Sequence, residues 1–145
     1  MRKFEKVSYD NSGTIPTRND KGSAGYDFYA PKEVIVYPKQ ATKVVTNIKA
    51  DMNEDEVLML YVRSSIGIRH NLMLANGTGV IDKSFYNNPD NEGNITIVLY
   101  NYGDKMQVIR AGERIAQGVF MKYLTTEDDS PLNTERIGGI GSSGK

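Results

Sequence analysis

The chain has 145 residues, 18 basic against 18 acidic side chains, one histidine, and neither cysteine nor tryptophan. That length suits a single domain with a core of its own. The composition excludes disulfides, Cys-ligated zinc, iron–sulfur clusters, a thiol nucleophile and, with only His70, a multi-histidine metal site. Zero formal charge argues against sequence-independent binding to nucleic acid, and no apolar run approaches the roughly 20 residues of a membrane helix.

In chain order, Met1-Arg2-Lys3-Phe4-Glu5 lacks the apolar stretch of a secretory leader, so a cytoplasmic, intracellular protein is expected. Ala24-Gly25-Tyr26-Asp27 sets an acid just after a turn glycine and ahead of a strand; read alone, Asp27 is equally a turn Asx residue. The runs Glu33–Tyr37, Lys43–Lys49 and Glu56–Val62 are rich in Val, Ile, Tyr and Thr and are bounded by Gly, Pro, Asn or Asp, the pattern of short strands. Arg63-Ser64-Ser65-Ile66-Gly67-Ile68-Arg69 follows the third run. A guanidinium and two hydroxyls at a strand-to-helix junction suit a phosphate, or simply a capped helix start with a surface ion pair. One short helix fits between Ser64 and Leu74.

The segment Asn76-Gly77-Thr78-Gly79-Val80-Ile81-Asp82-Lys83-Ser84-Phe85 is the richest. Glycines 77 and 79 predict a tight hairpin whose backbone approaches a flat ligand. Asn76 offers both a carbonyl and an amide, which match a base edge that donates and accepts. Asp82, following two apolar residues, is expected to be partly desolvated, as suits a general base, although an Asp in a glycine turn reads the same way. Asn94–Tyr100 and Arg114–Tyr123 are two further strands. In the second, alternation puts Arg114 and Ala116 on one face and Ile115 and Gln117 on the other. From Thr125 to Lys145 the chain turns polar and glycine-rich. It is either a frayed tail or a mobile arm whose glycine amides, Ser142, Ser143 and Arg136 converge on an oxyanion. Many short strands with frequent breakers, and no long helical stripe, predict an all-β sandwich or barrel.

Taken in order, five segments resemble the motifs of the trimeric dUTP pyrophosphatase (dUTPase) family: Ala24–Asp27, Arg63–Ser65, Gly79–Phe85, Arg114–Gln117 and Arg136–Gly144. The resemblance implies a β-jelly roll, a body over residues 1–124 and a flexible glycine-rich C-terminal arm over 125–145. It also implies a homotrimer with active sites shared between subunits. The implied reaction converts dUTP and water to dUMP and pyrophosphate, limiting uracil in DNA, with Mg²⁺ held by the triphosphate and no direct protein ligand. Asp82 would activate the water that attacks the α-phosphorus. Asn76 and the backbone of Gly79, Val80 and Ile81 would read uracil, and the Phe85 ring would pack under the deoxyribose and exclude a 2′-hydroxyl. Arg63, Ser64, Ser65 and Gln117 would hold phosphates. Arg136, Ile140, Gly141, Ser142 and Ser143 would close over them from a third chain, and Asp27 would support the metal-water shell or neighbouring arginines. The partners so implied are dUTP and two further copies of the chain, with no nucleic acid and no membrane.

The chain departs from the family pattern at several points. Phe85 stands where Tyr is usual, with Tyr86 next to it, so the ring assignment is open to a shift of one residue. Asn87-Asn88-Pro89-Asp90-Asn91-Glu92 is an apparent insertion beside the site; Val62 replaces a proline, Arg69 a lysine and Ile140 a phenylalanine. Two other readings share the implied fold, the first also with an Arg-Ser-Ser element. A dCTP deaminase needs a glutamate in the strand after the third motif, where this chain has Val98. A nucleotide-binding regulatory protein on the same fold, acting through a protein partner, would not need Asp82, Arg63, Gln117 and Arg136 together.

Overall fold

A computed structural model describes residues 1–133 and Arg136. The strands in chain order are β1 (Lys3–Lys6), β2 (Thr17–Arg18), β3 (Tyr26–Tyr29), β4 (Val34–Val36), β5 (Ala41–Val45), β6 (Ile48–Asp51), β7 (Glu56–Val62), β8 (Leu72–Leu74), β9 (Gly79–Asp82), β10 (Thr96–Asn101), β11 (Gln107–Ile109) and β12 (Arg114–Lys122). Helix α1 (Ser64–His70) and a 3₁₀ turn at Lys83–Phe85 are the helical pieces among the described residues. The chain is therefore the all-β jelly-roll sandwich expected.

The largest sheet has the order β2-β3-β12-β7-β9, and a second sheet has the order β5-β10-β8. Two-stranded pairs, β1-β6 and β11-β4, complete the shell. Between them lies one core. Phe28, Leu58, Leu60, Ile115 and Ala116 come from the large sheet, and Val44, Leu72, Leu74, Ile97 and Leu99 from the three-stranded one. Each strand contributes by alternation; β10 reads half-buried, buried through its length, with Ile97 and Leu99 inward. Phe4 closes one end, with its ring 5.6 Å from Phe28, 5.3 Å from Tyr26 and 5.4 Å from Phe120.

The sequence reading joins Lys43–Lys49 into one strand, but the chain splits it. Asn47 takes a left-handed conformation (φ 60°) and ends β5, after which β6 pairs with β1 instead of β10. Buried polar groups hold the corner: the Asn47 backbone amide donates to Asn94 Oδ1 at 2.9 Å, and Thr46 Oγ1 donates to the Ile95 carbonyl at 2.6 Å. An asparagine tolerates positive φ at low cost, so it can break a β-branched run that would otherwise continue. The expected helix forms, but only to His70; Asn71 caps it at φ 54° and the chain re-extends as β8.

Candidate functional site

Two clefts hold most of the described residues singled out from sequence, and they share no lining residue. The first, about 500 Å³, opens where two sheets part. Strand β8 pairs with β10, whereas β9 pairs with β7. The segment Ala75–Thr78 is therefore a crossing between sheets and not the hairpin expected. It turns at Gly77 (φ 75°), with the Gly77 amide on the Leu74 carbonyl at 2.9 Å. The crossing leaves a gap floored by Leu60, Leu74, Ile97 and Val98 and walled by Asn76 and Gly79–Asp82. Gly79 is required there, because a Cβ would lie 2.9 Å from the Leu60 Cβ.

Asp82 ends β9 at the rim of this cleft. Its backbone is paired with Val57 but its side chain is 55% exposed at the strand end, so the carboxylate is more open to solvent than expected. Arg136 of the same chain lies over it, with Nη1 3.1 Å from Asp82 Oδ2 and the guanidinium carbon 5.3 Å from the Phe85 ring centroid. Phe85 is 5% exposed and lines the cleft. Tyr86 points away, its hydroxyl bonded to Glu5, which raises its pKa to about 12. The aromatic wall of the cleft is thus Phe85, with no shift of one residue.

The second cleft, about 530 Å³, is polar and is lined by Asp27, Arg63, Ser64, Arg114 and Gln117 with Gly25 and Tyr61. Asp27 lies within β3 and not ahead of it as expected, and is 8% exposed. Its carboxylate pairs with two guanidiniums, Arg63 Nε at 3.2 Å and Arg114 Nη1 at 3.5 Å. Arg63 also donates to Ser65 Oγ at 3.4 Å.

Arg114 and Gln117 share this cleft against simple alternation, and a β-bulge is the reason. Arg114 pairs with Tyr29, but Ala116 pairs with the adjacent Phe28, so two residues on β12 answer one on β3. Ile115 and Ala116 both turn inward, and Arg114 re-emerges on the face of Asp27 and Gln117. Bulges carry no compositional mark in a single strand, so the sequence names Arg114 only as part of its segment and gives it no role in the cleft. Nothing in the sequence marks Leu60, Leu74, Thr96 and Ile97 as lining the first cleft; the sheet crossing brings them there.

Among the described residues no group of three or more His, Asp or Glu side chains is placed to hold a metal ion. No described helix is long and apolar enough to cross a membrane. Ile140, Gly141, Ser142 and Ser143 lie outside the described residues.

The comparisons with known proteins agree with one another. A dUTPase family model matches residues 11–144. The deoxyuridine 5′-triphosphate nucleotidohydrolase of Lactococcus lactis is 45% identical over 147 aligned positions, covering 99% of this chain and 98% of that protein. The crystal structure of the dUTPase from Streptococcus mutans superposes with a TM-score of 0.81 at 38% identity, over 86% of this chain and 98% of that one. A dUTPase of Staphylococcus bacteriophage 80alpha, at 22% identity and a TM-score of 0.76 over 93% of this chain and 98% of that one, shares the fold.

Proposed function

The chain belongs to the dUTPase family, and on that premise we propose that it hydrolyses dUTP to dUMP and pyrophosphate by attack of an Asp82-activated water at the α-phosphorus. The observation that carries this reading is the cleft at the sheet crossing, which combines Asn76, the exposed β9 backbone, the Phe85 ring and the Asp82 carboxylate. A pyrimidine fits such a slot edge-on. Asn76 and the Gly79–Ile81 backbone supply donors and acceptors for its polar edge, and Phe85 packs against the sugar face and leaves no room for a 2′-hydroxyl.

Asp82 sits at the open end, where a carboxylate Oδ takes a proton from water as that water meets phosphorus. The oxyanion charge then spreads over phosphate oxygens and needs cations and hydroxyls a few ångströms away. Arg63, Ser64, Ser65 and Gln117 are those groups in our reading, and Asp27 holds Arg63 and Arg114 in place for them. Arg114 joins this set on the strength of its contact with Asp27.

We read the arginine cleft as serving an Asp82 other than that of its own chain. Asp82 is paired with Val57, and Arg63 lies six residues farther along the chain, just past the end of β7, about 20 Å away at strand rise. We infer that the active site is completed by another copy, in a homotrimer that shares each site between subunits. The segment from Arg136 to Ser143 would close over the phosphates, with Ile140 as an apolar cover. Body (1–124) and arm (125–145) then act as separate functional parts of one domain.

The donor set fits Mg²⁺ carried by the substrate. The carboxylates of the two clefts stand apart and face arginines, which leaves the triphosphate oxygens as the hard ligands. Bound there, Mg²⁺ would neutralise phosphate charge and order the chain of three phosphates.

The reading is tested by Asp82→Asn, which keeps the shape of the side chain and removes its basicity. The variant should bind dUTP but release pyrophosphate at least about 10²-fold more slowly, the scale of a general base. Unchanged turnover removes Asp82 from the mechanism. Ammonia release from dCTP by the unaltered protein would favour deamination instead, although the Val98 side chain on the cleft floor cannot carry a proton.

A further inference from the structure

The segment Asn87–Glu92 immediately follows the Phe85 turn and is built as a closed loop. The Asn87 amide donates to the Glu92 carbonyl at 2.9 Å, and the Glu92 amide to the Asn88 carbonyl at 2.9 Å. Asn88, 4% exposed, is its centre. Its Oδ1 accepts the amides of Asp90 at 3.0 Å and Asn91 at 3.1 Å, and its Nδ2 reaches Asn91 Oδ1 at 2.8 Å. The same Nδ2 donates to the Phe85 carbonyl at 2.7 Å. From the other end of the loop Gly93 packs so closely that a Cβ would sit 2.7 Å from that carbonyl.

The loop is also anchored from behind. Lys49 on β6, 9% exposed, donates to Asn87 Oδ1 and to Glu92 Oε2, both at 2.6 Å. Glu92 Oε2 further accepts the Ser8 backbone amide at 2.9 Å. The 3₁₀ turn itself is bolted to the same pair of strands, through Lys83 to Asp51 at 2.8 Å and through the Tyr86 hydroxyl to Glu5. Glu5 and Lys49 face each other in the β1-β6 register, and the Lys49 ammonium lies 5.2 Å from the Tyr86 ring centroid. Asn88 holds the Phe85 carbonyl directly, and the other ties fix the residues on either side of it, Lys83, Tyr86, Asn87 and Glu92.

Phenylalanine has no polar handle, so its ring is positioned only by packing and by its own backbone. Discrimination against one hydroxyl needs that ring held to a fraction of an ångström, which requires a supporting layer with no slack. We propose that Asn88 and Glu92 are positioning residues for sugar selectivity, clamping Phe85 so that a ribonucleotide is rejected. This rests on the reading of Phe85 as the wall against the deoxyribose.

The test compares kcat/KM for UTP and for dUTP in Asn88→Asp, Glu92→Gln and Phe85→Ala. Asn88→Asp keeps the two loop-closing acceptor contacts and removes the side-chain donor to Phe85; Glu92→Gln loosens Lys49 and Ser8 if the first variant fails to fold. The expected result is a rise of about tenfold or more in the UTP/dUTP ratio in the clamp variants, the effect of an ångström-scale misplacement. A merely structural role lowers both substrates together and leaves the ratio unmoved. A ratio that rises in Phe85→Ala and stays fixed in both folded clamp variants overturns the clamp alone. A ratio that stays fixed in Phe85→Ala overturns the sugar-wall reading and the clamp with it.

Discussion

Two glycines with nearly the same backbone show how surroundings decide what a residue does. Gly93 and Gly112 have φ of 89° and 86°. A Cβ on Gly112 would meet nothing within 4 Å, whereas on Gly93 it would lie 2.7 Å from the Phe85 carbonyl and 3.0 Å from the Tyr86 Cα. Gly112→Ala should therefore cost only the left-handed backbone term, about 1–2 kcal/mol. Gly93→Ala adds a clash with backbone that cannot swing away and should fall toward about 3 kcal/mol or beyond. Thermal or denaturant unfolding of the two variants side by side checks this; equal losses would mean that the backbone around Phe85 yields freely. At Asp82, the partnership with Arg136 and the openness of the side chain put the carboxylate within reach of both water and a cation.

Elements work here by interrupting their own regularity. The β12 bulge gathers Arg114, Gln117 and Asp27 on one face, and the β5–β6 corner at Asn47 gives β1 a separate partner. That partner pair, β1-β6, backs the loop at Asn87–Glu92 through Glu92. Lys49 above all, with the Ser8 hydroxyl and amide, pulls the Glu92 pKa from 4.5 down to about 2. A lowered carboxylate pKa means that the folded state favours the anion. The stabilisation is complete above the unfolded value and is lost as pH falls through the folded one. The stability difference between the natural chain and Glu92→Gln should accordingly be full at pH 7, shrink below about pH 4.5 and vanish near pH 2. Chemical denaturation across that range measures it, and a difference that persists undiminished at pH 2 would exclude the ion pair as its source.

On the scale of the whole molecule, the separation of the two clefts is the fact with most consequence. If sites are shared, Asp82→Asn and Arg63→Ala variants are each inactive alone, yet unfolding and refolding them together at equal amounts should restore activity. Random assortment leaves about a quarter of the sites with both natural groups. Sites made within one chain would give no recovery, because every chain carries a defect. The arm makes a second prediction at this scale. Removing residues 133–145 should nearly abolish pyrophosphate release while leaving the proposed trimer intact in sedimentation, and full activity in the truncated chain would refute closure by the arm.

The sequence by itself determined the class of the fold and the chemistry on offer. Short β-branched runs between breakers cannot build helices, and a chain without cysteine and with one histidine leaves carboxylates and arginines to do the work. Those properties are local, so they are legible residue by residue. The limits of Glu56–Val62 and the position of Arg63 just past it follow from the same local rules. Only the tertiary structure decided that Ala75–Thr78 crosses between sheets, that Arg114 faces Asp27, that Phe85 and not Tyr86 walls the cleft, and that Arg63 stands far from Asp82 on the same chain. Each depends on which strand pairs with which and in what register. Pairing is settled by burial of a shared core between residues distant in sequence, a property of the folded whole that no single run of residues contains.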